Sequence, residues 1–249
     1  MMIQGAWRAF LLRSGALFFR FRRYLFPVFV VILFLFTQPA LFLGSRNLDF
    51  LIVMIGWIVA LAGLGFRLFV IGFAYIKRGG KEGKVYAENL VVEGLYAHVR
   101  NPMYIGNFLI VVGLGLIHGS LWVYIFLIPF FAFAYLSIVV AEEEFLRNRF
   151  GAAFDAYCTK VNRFIPNFSG IEQTLSAFTY DWKKALRKEY GTSLGGLIGC
   201  YATWLVKMHR CYGFNLNTHK LPLIISPLIL IGIVYAAVRY LKKKGKLNS

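Results

Sequence analysis

The sequence predicts an all-α, polytopic transmembrane helical protein with about five membrane segments. Three observations carry that prediction. Hydrophobic residues make up 59% of the chain and charged residues only 16%, far from the balance of a water-soluble domain of this length. The run from Tyr24 to Gly44 has no charge and the run from Phe50 to Ile76 has only Arg67; both reach the roughly 20 residues a helix needs to cross ~30 Å of hydrocarbon. Leu121 to Ala141 is a third run, equally free of charge.

Taken in order, residues 1–23 interleave Arg8, Arg13, Arg20, Arg22 and Arg23 with Trp7, Phe10, Leu11, Phe18 and Phe19. That pattern suits a basic segment lying among lipid headgroups. No small-x-small cleavage site follows the first apolar run, so it is read as a span and not as a secretory signal. Residues 24–79 then hold two transmembrane helices. Arg67 falls near one end of the second, where its side chain can snorkel to water; burial against a partner is the other reading. Lys77, Arg78, Lys81, Lys84 and Arg100 follow the second span, whereas the loop between the spans has only Arg46. The positive-inside rule makes the basic segments cytoplasmic, and the net charge of +17 is matched by membrane lipids and not by nucleic acid.

Residues 80–168 form a third section. The stretch from Gly80 to Val99 is polar, mixed and glycine-punctuated, and reads as a cytoplasmic loop. Asn101 is a good helix cap and Pro102 suits a first helical position, so a helix starts there. Its apolar part, Met103 to Ile117, is short: 15 residues rise about 22 Å. His118-Gly119-Ser120 turns the chain into the next run, which makes an antiparallel hairpin ending at Glu142-Glu143-Glu144. The hairpin brings Arg100, Asn101 and Tyr104 to the mouth that the glutamates also occupy. Beyond it Leu146, Phe150, Phe154, Tyr157 and Val161 recur at three- and four-residue spacings, as on an amphipathic helix at the membrane surface, which Pro166 ends.

Residues 169–249 are a C-terminal extension. Leu221 to Tyr240 can cross the membrane, while Thr192 to Val206 is apolar but short. A cytoplasmic tail bearing Lys242, Lys243, Lys244 and Lys246 requires that both cross or that one only dips. Cys158, Cys200 and Cys211 form no CxxC pair and are read as free thiols. His209 and Cys211 lack the further ligands of a metal site, so no metal is expected.

Acidic, cationic, amide and phenolic groups thus meet where a polar loop can close over them, as suits a water-soluble ligand held against a lipid-facing substrate. The residues involved resemble a known family. Asn89-Leu90-Val91, Gly94-Leu95-Tyr96 and Arg100-Asn101-Pro102-Met103-Tyr104-Ile105-Gly106 look like the signature of the membrane methyltransferases that include the isoprenylcysteine carboxyl methyltransferases and phospholipid methyltransferases. A second block, Glu142-Glu143, Leu146, Phe150-Gly151, Phe154, Tyr157, Val161, Arg163 and Ile165-Pro166, falls at that family's E-E…F-G…Y…P spacings. The resemblance covers residues 80–168.

What the resemblance implies is methyl transfer from S-adenosylmethionine, in a pocket facing the cytoplasm, to a hydrophobic or lipid-like acceptor. Asn89, Leu90, Val91 and Tyr96 would line the cofactor from the loop. Asn101, Pro102 and Tyr104 would hold it at the hairpin mouth, with Glu142 accepting from its ammonium group. Arg100 and Glu143 would serve the reaction or form a structural ion pair. Gly63-Leu64-Gly65 and Gly113-Leu114-Gly115 lie in membrane helices and suit close helix packing better than nucleotide binding. Two departures stand out: the family usually has histidine at the Asn101 position, and the carboxyl methyltransferases carry arginine where this chain has Ile138. The second argues against prenylcysteine as the acceptor. Sterol reductases, which bind NADPH, have a related R-H-x-x-Y signature but generally longer chains; that activity and a non-catalytic membrane scaffold are the alternative readings.

Overall fold

The computed structural model describes residues 2–73, 78–81, 84–87, 89–177, 179–214 and 221–247. Lys77 of the predicted basic cluster, and residues 82, 83 and 88 of the predicted loop, lie outside them. The chain is helical: α1 (Met2–Phe36), α2 (Arg46–Phe73), α3 (Pro102–His118), α4 (Leu121–Phe150), α5 (Ala152–Lys160), α6 (Ile171–Ala177), α7 (Trp182–Tyr212) and α8 (Leu221–Lys243). Among the described residues, Arg46–Phe73, Leu121–Phe150 and Ile224–Lys243 are long and apolar enough to cross a membrane, and Pro102–His118 is a shorter apolar helix. The protein is an integral membrane protein. Helix α2 (Arg46–Phe73) ends short of the predicted 79, and an antiparallel strand pair of β1 (Arg78–Lys81) and β2 (Lys84–Ala87) crosses the predicted boundary at Gly80, with Arg78 opposite Ala87 and Lys81 opposite Lys84. Val85 and Tyr86 are strand formers, a signal that the loop's glycines masked.

The helices fall into two compact units. The first joins Met1–Phe36, Phe73–Ile105 and Phe126–Thr179. In it α1 runs antiparallel to α4: Arg8 pairs with Glu144, Gly15 lies against the Ser137 carbonyl, and Phe26 packs edge-on to Phe131 with centroids 5.0 Å apart. A headgroup segment followed by a separate span was expected here; the chain instead forms one 35-residue helix with Pro27 inside it. The helix ends at Phe36, short of the predicted Gly44, and Pro39 follows. Phe18, Phe26 and Phe29 pack against Phe130 and Phe131 of α4, which ties the segment to that helix on one face, while Trp7 and Phe10 stay exposed.

The second surface of α4's neighbourhood is formed after a sharp break at Gly151, whose φ of +53° favours glycine. The break separates α4 from α5, and the predicted apolar stripe then closes into a cluster of Leu146, Phe154, Tyr157 and Val161 with Ala87. Here too the boundary differs from expectation. The helix stops at Lys160, and Val161 is already extended, so Pro166 is not its terminator.

The second unit joins Thr37–Gly72, Gly106–Ile125 and Tyr180–Ser249. Here α3 packs antiparallel on α2 through glycines: a Cβ on Gly113 would meet the Gly56 carbonyl at 2.6 Å and Ala60 Cβ at 2.7 Å. Such small-residue contacts let membrane helices approach closely. Helix α7 runs antiparallel along the whole of α2. The Asp181 amide donates to the Gly72 carbonyl (3.0 Å), Cys200 packs with Ala60 and Ile117, and the Tyr212 hydroxyl donates to Asp49 (2.8 Å). Thr192 to Val206 is therefore the middle of a 31-residue helix, started by the Asp181 side chain accepting from the Lys184 amide. Arg67 does not snorkel. It is 7% exposed and bonded to Glu189 of α7 (Nη2–Oε2 2.7 Å) and to Asn107 of α3.

Candidate functional site

The site residues of the two sequence blocks meet in the first unit. Pro102 is the first residue of α3, and the Tyr104 amide donates to the Asn101 carbonyl at 3.2 Å, so the predicted helix start stands. Asn101 is 3% exposed. Its side-chain amide donates to Glu143 Oε1 (3.2 Å) and to the Arg163 carbonyl (3.4 Å). Arg100 donates from Nε to Glu143 (3.1 Å) and from Nη1 to the carbonyls of Cys158 and Val161 (3.0 and 2.8 Å). Arg163 adds a third set of donors to Glu143, the shortest at 2.7 Å. Glu143 is thus a buried anion held by two guanidinium groups and an amide, and it ties the start of α3 to the end of α5.

Glu142 has a different environment. It is 8% exposed and its Oε1 accepts from the Tyr104 hydroxyl at 2.8 Å. The Tyr104 ring lies 5.6 Å from that of Tyr135, which in turn lies 5.7 Å from Phe26 of α1. From α1 comes a residue that sequence reasoning assigned to the headgroups: Arg22, whose Nη1 donates to the Tyr104 hydroxyl at 3.4 Å and whose guanidinium lies 4.0 Å from the centroid of Phe19. No local pattern marks it, since five arginines share that stretch.

The loop residues behave unequally. Leu90 packs on the Ala87–Leu146–Phe154–Tyr157–Val161 cluster, Val91 is half-buried and Asn89 is exposed. Tyr96 is 5% exposed in a short 3-10 helix (Gly94–Ala97), and its carbonyl accepts from the Tyr157 hydroxyl at 2.6 Å. Sequence reasoning passed over His98. It is buried, with Nδ1 2.7 Å from the Asn167 carbonyl and Nε2 2.8 Å from Thr174 Oγ1, and it fastens the loop to α6.

The chemistry on offer is electrostatic. Cys158, the thiol beside the Glu143 cluster, is pushed up by burial, which the Arg100 guanidinium only partly opposes. It therefore stays protonated at neutral pH and is a poor nucleophile. The exposure of the two arginines predicts unequal weight. Arg100→Gln, at a side chain 12% exposed, is expected to cost about 3 kcal/mol because it leaves Glu143 short of its buried partner. Arg163→Gln, at one 40% exposed, is expected to cost at most about 1 kcal/mol. Thermal unfolding of the two variants in detergent checks the order.

Comparisons with known proteins agree with the first block and with the second as far as Gly151. Residues 51–153 match the phospholipid methyltransferase family. The nickel-cobalt-cadmium resistance protein NccN of Alcaligenes xylosoxydans xylosoxydans is 34% identical over 80 residues, 32% of this chain and 37% of that protein. The cobalt-zinc-cadmium resistance protein CzcN of Cupriavidus metallidurans is 35% identical over 80 residues, with the same coverage of each chain. The chain thus spans little more than a third of the length of these curated relatives. No solved structure matches. Residues 51–153, which include the helical hairpin, Tyr104, Glu142 and Glu143, match the isoprenylcysteine and phospholipid methyltransferase family, as the sequence blocks indicated.

Proposed function

We propose that this protein is an S-adenosylmethionine-dependent methyltransferase that acts on a hydrophobic or lipid-like acceptor in the membrane, with its cofactor site facing the cytoplasm. The observation that carries this reading is the Tyr104–Glu142 pair at the start of α3, inside the segment that matches a methyltransferase family. A buried carboxylate beside aromatic rings fits the cationic, adenine-bearing donor, because an ammonium group needs a carboxylate and the base needs an apolar wall. When bound, the donor supplies an electrophilic methyl group on a sulfonium, which needs alignment more than a nucleophilic side chain.

In this reading Glu142 accepts from the donor's ammonium group and the Tyr104 hydroxyl fixes the carboxylate's rotamer. Asn89, Leu90, Val91 and Tyr96 cover the donor from the loop, and Asn101 and Pro102 set the start of α3 beneath it. Arg100 and Glu143 serve indirectly: their network with Arg163 locks α3 to α5 and so holds Tyr104 and Glu142 in register. The functional core is residues 80–168, preceded by residues 1–23 and 24–79 and followed by the extension 169–249. Ile138, 0% exposed, leaves no cation one turn before Glu142, which favours an acceptor other than a prenylcysteine carboxylate.

The test is incubation of the purified protein with methyl-labelled S-adenosylmethionine and a lipid extract. Label is expected in the organic phase. Absence of transfer, or binding of NADPH in place of S-adenosylmethionine in calorimetric titration, would sink the reading.

A further inference from the structure

Arg22 occupies a position that anchoring to headgroups does not explain. It is partly buried, it points from α1 at the Tyr104 hydroxyl (3.4 Å), and the same hydroxyl donates to Glu142 (2.8 Å). Among the described residues Arg22 forms no ion pair; its partners are a phenol and the face of Phe19. A partly buried guanidinium gains from an anionic partner, through charge-assisted hydrogen bonds. A cation and an anion thus stand one hydroxyl apart, bridged by Tyr104. That spacing suits a guest carrying both charges on neighbouring atoms.

The amino-acid end of S-adenosylmethionine is such a guest, with a carboxylate and an ammonium group on one carbon. The start of α3 is a poor alternative holder for the carboxylate. Pro102 has no N–H, and the Tyr104 amide already donates to the Asn101 carbonyl at 3.2 Å. Guanidinium is the side chain best shaped for a carboxylate, through paired N–H donors. We infer that Arg22 binds the donor's carboxylate while Glu142 binds its ammonium group, so that α1, outside the segment matching the family, supplies half of the donor cradle. This rests on the methyl-donor reading above.

The experiment compares two ligands on three proteins, the full chain in lipid nanodiscs and its Arg22→Gln and Arg22→Lys variants. The ligands are S-adenosylmethionine and its decarboxylated form, which keeps the sulfonium and the amine. The native protein is expected to prefer the carboxylated ligand by about 10- to 100-fold. Arg22→Gln should bind both equally, at the native protein's affinity for the decarboxylated form, and Arg22→Lys should recover part of the preference. Decarboxylated-ligand affinity also reports folding, since it should not change. If Arg22→Gln keeps the native preference, the assignment to Arg22 is wrong while the donor reading stands. If donor affinity is unchanged and only the acceptor KM rises, Arg22 serves the acceptor and the inference is overturned. Failure of the native protein to bind either ligand would remove the donor reading itself.

Discussion

Lys207→Met is expected to destabilise the protein by about 3–5 kcal/mol, the usual cost of leaving a buried charge without its partner. Lys207 and Asp49 are both 0% exposed, and Lys207 Nζ lies 2.6 Å from Asp49 Oδ1. Asp49 also accepts from the Phe42 amide (2.9 Å) and the Tyr212 hydroxyl (2.8 Å), so it joins the segment before α2 to the end of α7. With methionine at 207 the carboxylate keeps two neutral donors and loses its cation. Unfolding in a denaturing detergent titration measures the loss. The double variant Lys207→Met with Asp49→Asn removes both charges, keeps an oxygen for the Phe42 amide and turns an N–H toward the Tyr212 hydroxyl, which can accept it, so it should recover most of the stability. Equal losses in the single and double variants would show that volume, not charge, matters at this site. A second substitution follows from the same geometry: a Cβ on Gly119, at φ +80°, would meet Lys207 Nζ at 2.5 Å. Glycine there is required by both the backbone and the ion pair.

That ion pair also explains what the sequence could and could not disclose. Helices α2, α4 and α8 were legible because their apolar runs have the length of a membrane crossing, and the shorter α3 because Pro102 marked its start and His118-Gly119-Ser120 its end. Helix α7 was not. Lys183, Lys184, Arg187, Lys188, Glu189 and Lys207 make it look like surface, yet Glu189 and Lys207 are buried and are neutralised by Arg67 and Asp49 of α2. Hydropathy counts each charge singly and cannot see that two lone charges on different helices cancel. A pairing argument would have found them: α2 carries one internal cation, Arg67, and one acid in its first turn, Asp49, and each requires an opposite charge from elsewhere in the chain.

At the candidate site the same distinction holds. The meeting of Arg100, Asn101 and Tyr104 with the glutamates was readable, because a hairpin of two apolar helices returns the chain to the face it left. Which glutamate does what came only from the family resemblance, which gave Glu142 to the ammonium group and left Glu143 to the reaction or to an ion pair with Arg100. Glu143 turns out to be enclosed by Arg100, Asn101 and Arg163, whereas Glu142 faces Tyr104; the division follows from the helical rotation of about 100° between consecutive residues. Arg22 was hidden because α1's arginines are distinguishable only by which face of the helix packs on α4. His98 was hidden because its partners, Asn167 and Thr174, are remote in sequence.

That division makes the two glutamates separable by experiment. Glu142→Gln is expected to weaken S-adenosylmethionine binding by about 1.5–3 kcal/mol, the contribution of a charge-assisted hydrogen bond, with little change in unfolding. Glutamine keeps an oxygen to accept from the Tyr104 hydroxyl, so the local packing survives and only the negative charge is lost. Glu143→Gln should do the reverse. It removes the anion that Arg100 and Arg163 share, lowering stability, while donor affinity in the surviving folded fraction changes little. Calorimetric titration and thermal unfolding, run on both variants, give four numbers whose pattern decides the matter. Should Glu142→Gln bind the donor as the native protein does, the carboxylate beside Tyr104 is structural, and the ammonium group must be held elsewhere.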